Sequence, residues 1–504
     1  MAPRLFCGGR VHSPDWIRAE AGRIAAGLQA LGCRAGDRVA AFLRNGPAYV
    51  VLAQACRQAG LLLVSINCHY KCEEARHILA DCEARAIFIH EDLVAPVRQG
   101  FPDDLAVIDV PVDEGNEAAA ASGARWNRFG AGIDDVPQTR PLSHYTIPYT
   151  SGTTGRPKGV IRLPVDAARR AAMDHELGEV LQTVYGIRAD SIVMLCAPLY
   201  HSATMSYAQY AGAAGATLLL EPGFDAAATL QLIEQHRVTH AYMVPTMFRR
   251  MLALPAAVRE RFDTSSLRHV TSTGSPCPMD LKRAMIAWFG PVITEGYGSS
   301  ETGYVTFIDA STWLKRPGSA GRPVGRAQIR IVGDEDRQAL PAGRTGTIYV
   351  RQPAMPDFTY LNHTSSREAM ELDGMVTLGD VGYLDDDGYL YICDRRSDMV
   401  ISGGANIYPA EIEAALQGMP GVADCAVFGI PDTEYGEALA AAVQPDPGTS
   451  LDEAKVRQFL RARLANFKVP RVITFHAALP REETGKIFKR VLREPYWQGT
   501  DRRI

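Results

Sequence analysis

After Pro14, apolar residues recur at helical spacing: Ile17, Ala21, Ile24, Ala25, Leu28 and Leu31. That periodicity predicts an amphipathic helix with one face toward a core, ended by Gly32. A short apolar run, Arg38–Leu43, follows as a strand, Val50–Ala59 returns to helix, and Leu61–Ile66 and Ala84–His90 read as strands. Between them Glu74–Leu79 reads as helix with Ala75, Ile78 and Leu79 turned inward. Alternation resumes downstream, with strands expected at Ile192–Cys196, Thr217–Leu220, His240–Val244 and His269–Ser272. Helix and strand alternating at this scale predict α/β layers built on mainly parallel sheet.

The texture changes near Pro317. Short β runs at Gly318–Pro323, Ile329–Val332, Gly346–Val350 and Gly388–Ile392 lie between Gly/Pro turns and predict a small β unit over about 317–393. Asp394-Arg395-Arg396-Ser397-Asp398 then breaks the apolar pattern and reads as a linker. Beyond it a small α+β domain is expected, with helix Pro409–Gln417, strands Ala423–Gly429 and Ala438–Val443, helix Asp452–Leu464 and strand Val472–His476. The fold class expected is therefore α/β. A large N-terminal domain (1–393) has layered, mainly parallel sheets, helices and the β unit, and a small, mobile α+β C-terminal domain spans 394–504. Asp113–Ile133, rich in Ala and Gly, reads as a surface loop.

Composition narrows the classes of function. A chain of 504 residues, 46% hydrophobic, with a net charge of −4, offers no electrostatic footprint for nucleic acid. No apolar run reaches the roughly 20 residues of a membrane helix, and no leader pattern stands at the start. A soluble, cytoplasmic protein, monomeric or homodimeric, is expected. Ten cysteines without a CxxC pair fit free thiols in a reducing compartment. Cys68, His69, Cys72, His77 and Cys82 cluster, but their irregular spacing and the inward apolar face beside them favour a packed helix over a zinc site.

The chemistry is concentrated in Tyr149-Thr150-Ser151-Gly152-Thr153-Thr154-Gly155-Arg156-Pro157-Lys158-Gly159. Glycines let successive backbone N–H groups approach an anion, and hydroxyls and a lysine surround them, as linked phosphates require. A Walker A loop would place Ser or Thr after the lysine; here Gly159 follows. This loop is similar to the signature of the adenylate-forming superfamily: acyl-CoA synthetases, luciferases and nonribosomal adenylation domains.

Further segments carry the same resemblance, from about Arg10 to Leu492. Ala197-Pro198-Leu199-Tyr200-His201-Ser202 resembles the family's stretch between nucleotide and acyl pocket, which implies that His201 flanks the carboxylate. Thr273-Gly274-Ser275-Pro276 resembles the turn along adenine. In Thr294-Glu295-Gly296-Tyr297-Gly298-Ser299-Ser300-Glu301, Tyr297 would face adenine, Ser300 the α-phosphate, and Glu301 the Mg²⁺ that accompanies ATP. The resemblance gives Asp380 to the ribose hydroxyls, Ile392 and Arg395 to the nucleotide, and Asp394 to the hinge. Gly403 and Gly404 would line the pantetheine channel of coenzyme A. Lys486, in Pro480-Arg481-Glu482-Glu483-Thr484-Gly485-Lys486, would be the catalytic lysine. Ser397 and Ser402 stand where the family often has lysines.

What the resemblance implies is an ATP-dependent carboxylate–CoA ligase of the acyl-CoA synthetase branch, most like fatty-acid and steroid-side-chain CoA ligases. Its substrate would be a hydrophobic monocarboxylic acid (fatty, aromatic or alicyclic). Tyr207, Met243–Met247, Gly274 and Tyr304 are expected to line the acyl pocket. Delivery to a carrier protein, a luciferase-like oxygenation or a non-catalytic nucleotide-binding regulator are the rival readings. The intact Gly403–Pro409 loop favours coenzyme A, and Lys158, Glu301 and Lys486 together favour catalysis.

Overall fold

The computed structural model describes residues 4–112, 124–133, 144–151, 157–275, 277–333, 336–402, 405–481 and 487–498. Two seven-stranded sheets carry the larger part of the chain. In the first, Ile293–Glu295, His269–Ser272, His240–Met243, Ile192–Leu195, Thr217–Leu220 and Leu5–Cys7 run side by side and parallel. Arg10–His12 closes its edge as a hairpin. Interior strands such as Ile192–Leu195 and His240–Met243 are buried almost throughout, as strands covered on both faces must be.

The second sheet orders Phe358–Tyr360, Pro157–Arg162, Thr146–Ser151, Leu62–Ser65, Arg38–Phe42, Ala86–His90 and Ala106–Val110. Its strands are parallel from Thr146–Ser151 onward. Thr146–Ser151 and Pro157–Arg162 form an antiparallel hairpin in which Thr150 faces Lys158. The described ends of the glycine-rich segment are thus two antiparallel strands, where a Walker A segment would join a strand to a helix. One hydrophobic core packs both sheets and their helices together.

The helix expected after Pro14 spans Pro14–Ala30; Ser13 caps it by accepting from the Trp16 N–H, and Ile24, Ala25 and Leu28 face inward. Around Glu74–Leu79 a helix runs Cys72–Cys82, its buried positions Ala75, Ile78, Leu79 and Cys82. Cys68 is also buried, and His77 Nε2 lies 3.1 Å from the Pro157 carbonyl. Of the loop expected over Asp113–Ile133, residues 113–123 lie outside the described residues.

The small β unit is an antiparallel sheet of Gln328–Val332, Gly346–Arg351, Met375–Leu384, Glu371–Leu372 and Leu390–Arg395, with its own core. Two features differ from the sequence reading. Phe358–Tyr360, unrecognised as a strand, leaves this unit and pairs with the phosphate hairpin. The strand Leu390–Arg395 runs through Asp394 and Arg395, which pair with Val381 and Asp380, so the turn begins only at Arg396. Charge at those positions suited a linker, but Arg395 meets Asp380 across the strands and Asp394 accepts from the Ala410 N–H.

The remaining chain builds a five-stranded mixed sheet: Ala405–Ile407, Val400–Ser402, Gly436–Pro445, Val422–Asp432 and Val472–Phe475. Helices Pro409–Gln417 and Glu453–Arg461 pack on it through Ile412, Leu416, Val456 and Leu460. A further helix, Lys489–Trp497, packs against Val422–Asp432 and was not foreseen. No helix among the described residues is long and apolar enough to cross a membrane.

Candidate active site

Parallel strands that end along one sheet edge release their following loops into one place. Here four neighbours do so. Ile192–Leu195 leads to Ala197–His201, His240–Met243 to Val244–Met247, His269–Ser272 to Thr273–Ser275, and Ile293–Glu295 to Gly296–Glu301. These loops face the phosphate hairpin across a cleft of about 2560 Å³, and the C-terminal unit borders the same cleft.

Thr150, Lys158, His201, Gly274 and Ser275 all line it. So do Tyr297, Ser300, Glu301, Asp380, Ile392 and Arg395. Gly152, Thr153, Thr154, Pro276, Gly403, Gly404 and Lys486 lie outside the described residues, and Ser151 ends the strand that enters the phosphate turn.

Gly298–Ser299 and Gly303–Tyr304 form a tight hairpin, and Ser300 and Glu301 sit in its turn. Gly298 is required by this packing: a Cβ there would stand 2.2 Å from the Gly303 carbonyl oxygen. Glu301 is 7% exposed, and its Oε1 accepts from Thr150 Oγ1 at 3.3 Å and from the Tyr360 hydroxyl at 3.0 Å. Burial and the facing Glu301 raise the Tyr360 phenol above its usual range, which keeps it a donor. Ser300 Oγ is 2.6 Å from Ser202 Oγ, which joins this turn to the His201 loop.

Beneath the turn lies a residue that the sequence reading passed over. Arg162, last in its strand, donates to the carbonyls of Ser300 and Glu301 at 2.5 Å each, and to Pro356 at 3.0 Å. Burial lowers its pKa to about 10 against the opposing pull of Glu301 and Asp357, so it is still charged at neutral pH. Tyr360 was missed as well, because its strand was. A charge closing an apolar strand was the one sequence signal for Arg162; Tyr360 had none.

Elsewhere in the cleft, the Tyr297 hydroxyl donates to Asp380 Oδ2 at 2.6 Å, and Arg395 Nε lies 3.4 Å from Asp380 Oδ1. Burial, then Asp380, pushes the Tyr297 phenol well up. Asp394 Oδ2 accepts from the Ala410 N–H at 2.8 Å, so this residue caps the helix Pro409–Gln417. Burial raises Asp394 to about 6, with Lys489 opposing.

His201 stands before helix Ser202–Ala213, its Nε2 buried without a hydrogen-bond partner among the described residues. Burial lowers its pKa to about 4, so the ring is neutral at physiological pH. On the acyl side Met205, Tyr210, Tyr242, Met247 and Tyr304 line the wall. Tyr207 and Met243, expected there, are 0% and 1% exposed and stand behind it. Tyr207 packs edge-on against Tyr242 at 5.5 Å, and Tyr185 against Tyr304 at 5.5 Å.

Among the described residues no group of three or more His, Cys, Asp or Glu gathers to hold an ion. Glu301 offers one hard carboxylate, which suits an Mg²⁺ shared with nucleotide phosphates and water.

A model of the AMP-binding enzyme family matches residues 14–356, and one of the AMP-binding enzyme C-terminal domain matches 411–486. The chain belongs to the AMP-binding enzyme family. It is 36% identical over 478 residues to an indoleacetate–CoA ligase of Aromatoleum aromaticum, covering 94% of this chain and 91% of the relative. To a feruloyl-CoA synthase of an Amycolatopsis species it is 34% identical over 494 residues, covering 97% and 95%. ATP-bound MatB from Rhodopseudomonas palustris superposes with a TM-score of 0.86 at 29% identity, over 99% of this chain and 96% of that one. Apo MatB superposes at 0.73, with the same identity and coverage. This AMP-binding enzyme is an acid–thiol ligase of the AMP-forming kind, with ATP, Mg²⁺ and coenzyme A as its small-molecule requirements.

Substitutions at Gly298 and Arg162 test the geometry of this AMP-binding enzyme. Gly298→Ala should cut ATP–pyrophosphate exchange by at least as much as Glu301→Gln, because it displaces the whole turn; a near-normal exchange rate would refute that packing. Arg162→Met leaves three carbonyls short of their donor and should lower stability by about 2–4 kcal/mol in denaturant titration. Arg162→Lys, with one donor group for three acceptors, should recover only part of that loss.

Proposed function

We propose that this enzyme adenylates a ring-bearing, hydrophobic monocarboxylic acid and passes the acyl group to coenzyme A, with the residues named above in the roles that follow. The observation that carries the reading is the meeting of Thr150, Glu301, Tyr297, Asp380 and Arg395 in one cleft beside a tyrosine-lined wall. Two cations that line the cleft with that wall are engaged elsewhere: Arg162 on carbonyls, and Arg249 on Ala423 and Asp424. A second carboxylate on the acid would find neither of these guanidinium groups free. Flat aromatic walls favour a ring, and the two relatives above are named for indoleacetate and for a feruloyl group.

A carboxylate is a poor electrophile because its charge is delocalised and oxide is a bad leaving group. Adenylation removes both obstacles: a carboxylate oxygen attacks the α-phosphorus in line, and pyrophosphate departs with the electrons of the broken P–O bond. The protein's contribution is to position and to stabilise charge. Tyr297 would lie along adenine while its hydroxyl holds Asp380 toward the ribose. Thr150 to Thr154, with Lys158, would cradle the β- and γ-phosphates, while Gly274, Ser275 and Pro276 run along the nucleoside and Ser300 meets the α-phosphate. Mg²⁺ on Glu301 would offset phosphate charge. Neutral His201 hydrogen-bonds the acid's carboxylate without forming a salt bridge that would blunt its nucleophilicity. Lys486 bridges the carboxylate and α-phosphate oxygens as charge builds.

In the second step the coenzyme A sulfur attacks the acyl carbon and AMP leaves. Gly403 and Gly404 would admit the thiol arm once the C-terminal unit turns about Asp394. The closer superposition on ATP-bound than on apo MatB supports reading the present orientation as the adenylating one. We place the enzyme in the cytoplasm, where its ten free thiols stay reduced.

ATP–pyrophosphate exchange over a panel of acids tests the reading. Arylacetic and cinnamic-type acids should drive exchange most strongly, and product should form only with coenzyme A present. Preference for short alkanoates or for dicarboxylates would reject the proposed acid. Lys486→Ala should all but abolish exchange yet form thioester from supplied acyl-AMP; equal loss of both half-reactions would rule out its assigned role.

A further inference from the structure

The stem of the Lys486 turn is tied down on both sides. Arg481 and Ile487 form an antiparallel bridge, and the Phe488 N–H donates to the Pro480 carbonyl at 2.9 Å. The Arg481 guanidinium is hydrogen-bonded to Asp424 Oδ2. Asp424 is 6% exposed, and its Oδ1 accepts from the Cys425 N–H at 2.7 Å. Across the cleft, Arg249 approaches the same Oδ1 at 3.6 Å and donates to the Ala423 carbonyl.

Arg249 belongs to the helix Pro245–Leu252, which also carries Met247 of the acyl wall. One short helix therefore touches the acyl pocket with Met247 and the C-terminal unit with Arg249. We propose that Asp424 is a positioning residue for adenylation. It clasps Arg481 at the stem of the lysine turn and Arg249 on the acyl-pocket helix, so that the lysine is presented only while the C-terminal unit is seated against that helix. The proposal rests on the role given to Lys486 above.

The two halves of this clasp behave differently when the unit turns. Asp424 and Arg481 both belong to the C-terminal unit: Phe428, four residues on from Asp424, shares a core with Leu479, two residues before Arg481. That pair travels together. The Arg249 contacts join elements on either side of the Asp394 hinge, and they must break for the second half-reaction. They therefore bias the equilibrium toward the adenylating arrangement and contribute nothing to the thioester-forming one.

Arg249→Met tests this with the Asp424–Arg481 pair left intact. Removing this partly exposed guanidinium takes away an ion pair at 3.6 Å and a charged hydrogen bond to the Ala423 carbonyl, and predicts about a tenfold fall in the maximal rate of ATP–pyrophosphate exchange. KM for ATP should be unchanged, and thioester formation from supplied acyl-AMP should be equal or faster. Asp424→Asn should show the same split, and the double variant should lose no more than the worse single one, because the residues act as one unit. Unchanged exchange, additive losses, or an equal fall of both half-reactions would overturn the clasp. Lys486→Ala is assayed alongside: if it spares exchange, the reading beneath fails, whereas its loss with exchange intact in Arg249→Met refutes the clasp alone.

Discussion

The site depends on one guanidinium. Arg162 ends the strand that leaves the phosphate turn, and its donors hold the Ser300 and Glu301 carbonyls that arrive from the other sheet. Two sheets with separate connectivity have no covalent reason to keep their loops in register. A planar fork of donors, charged and largely withdrawn from water, imposes that register because leaving its acceptors or itself unpaired is costly. Thr150 and Tyr360 then meet a single Glu301 oxygen, with a neighbouring strand supplying each. Glycine at 298 is the geometric counterpart, since only a residue without Cβ lets the turn close tightly enough to offer those carbonyls.

The first sheet supplies the other half of the arrangement. Because its central strands are parallel, their carboxyl ends share one edge, and the His201, Thr273 and Tyr297 segments converge although nearly a hundred residues separate them in sequence. Convergence of this kind follows from handedness and layering, so it was available to a reading of periodicity alone. Thr217–Leu220 and His269–Ser272 came out of the apolar runs with the bounds the structure has, as did helix Pro409–Gln417. The motifs that the sequence marked were local ones, the Thr150–Gly159 segment, the Tyr297–Glu301 turn and Asp380, and Thr150, Lys158, Tyr297, Ser300, Glu301 and Asp380 line one cleft.

What stayed illegible was of one kind, namely pairing over long sequence distance. Phe358–Tyr360 is three residues long and lies between a turn holding Pro353 and Pro356 and the turn at Leu361-Asn362; only its partner strand, Pro157–Arg162, makes it a strand. Arg162 looked like an ordinary charge after an apolar run until carbonyls from 300, 301 and 356 were seen around it. The acidic and basic residues at 394–398 looked solvated, yet Arg395 turns to Asp380 and Asp394 caps a helix. Tyr207 was expected in the acyl wall and stands behind it, because on a helix packed to a sheet the inward face and the pocket face differ by about one residue's rotation, ~100°. Local pattern reports which residues are buried; it does not report against what.

The same distinction separates the chemistry from the selectivity. In the reading proposed above, phosphate, ribose and metal would meet groups whose chemistry is written in their side chains: hydroxyl, carboxylate, guanidinium. The acid would meet a wall whose shape depends on residues behind it. Tyr185 sets Tyr304, and Tyr207 sets Tyr242, through edge-on contacts near 5.5 Å. Changing the acid this enzyme accepts should therefore require repacking the second layer together with the first, because a smaller residue at 242 with Tyr207 unchanged leaves a buried phenol hydroxyl, without a partner among the described residues, facing a new void. The adenylation chemistry, held by Arg162 and the Gly298 turn, sits on other supports and can persist while that wall changes.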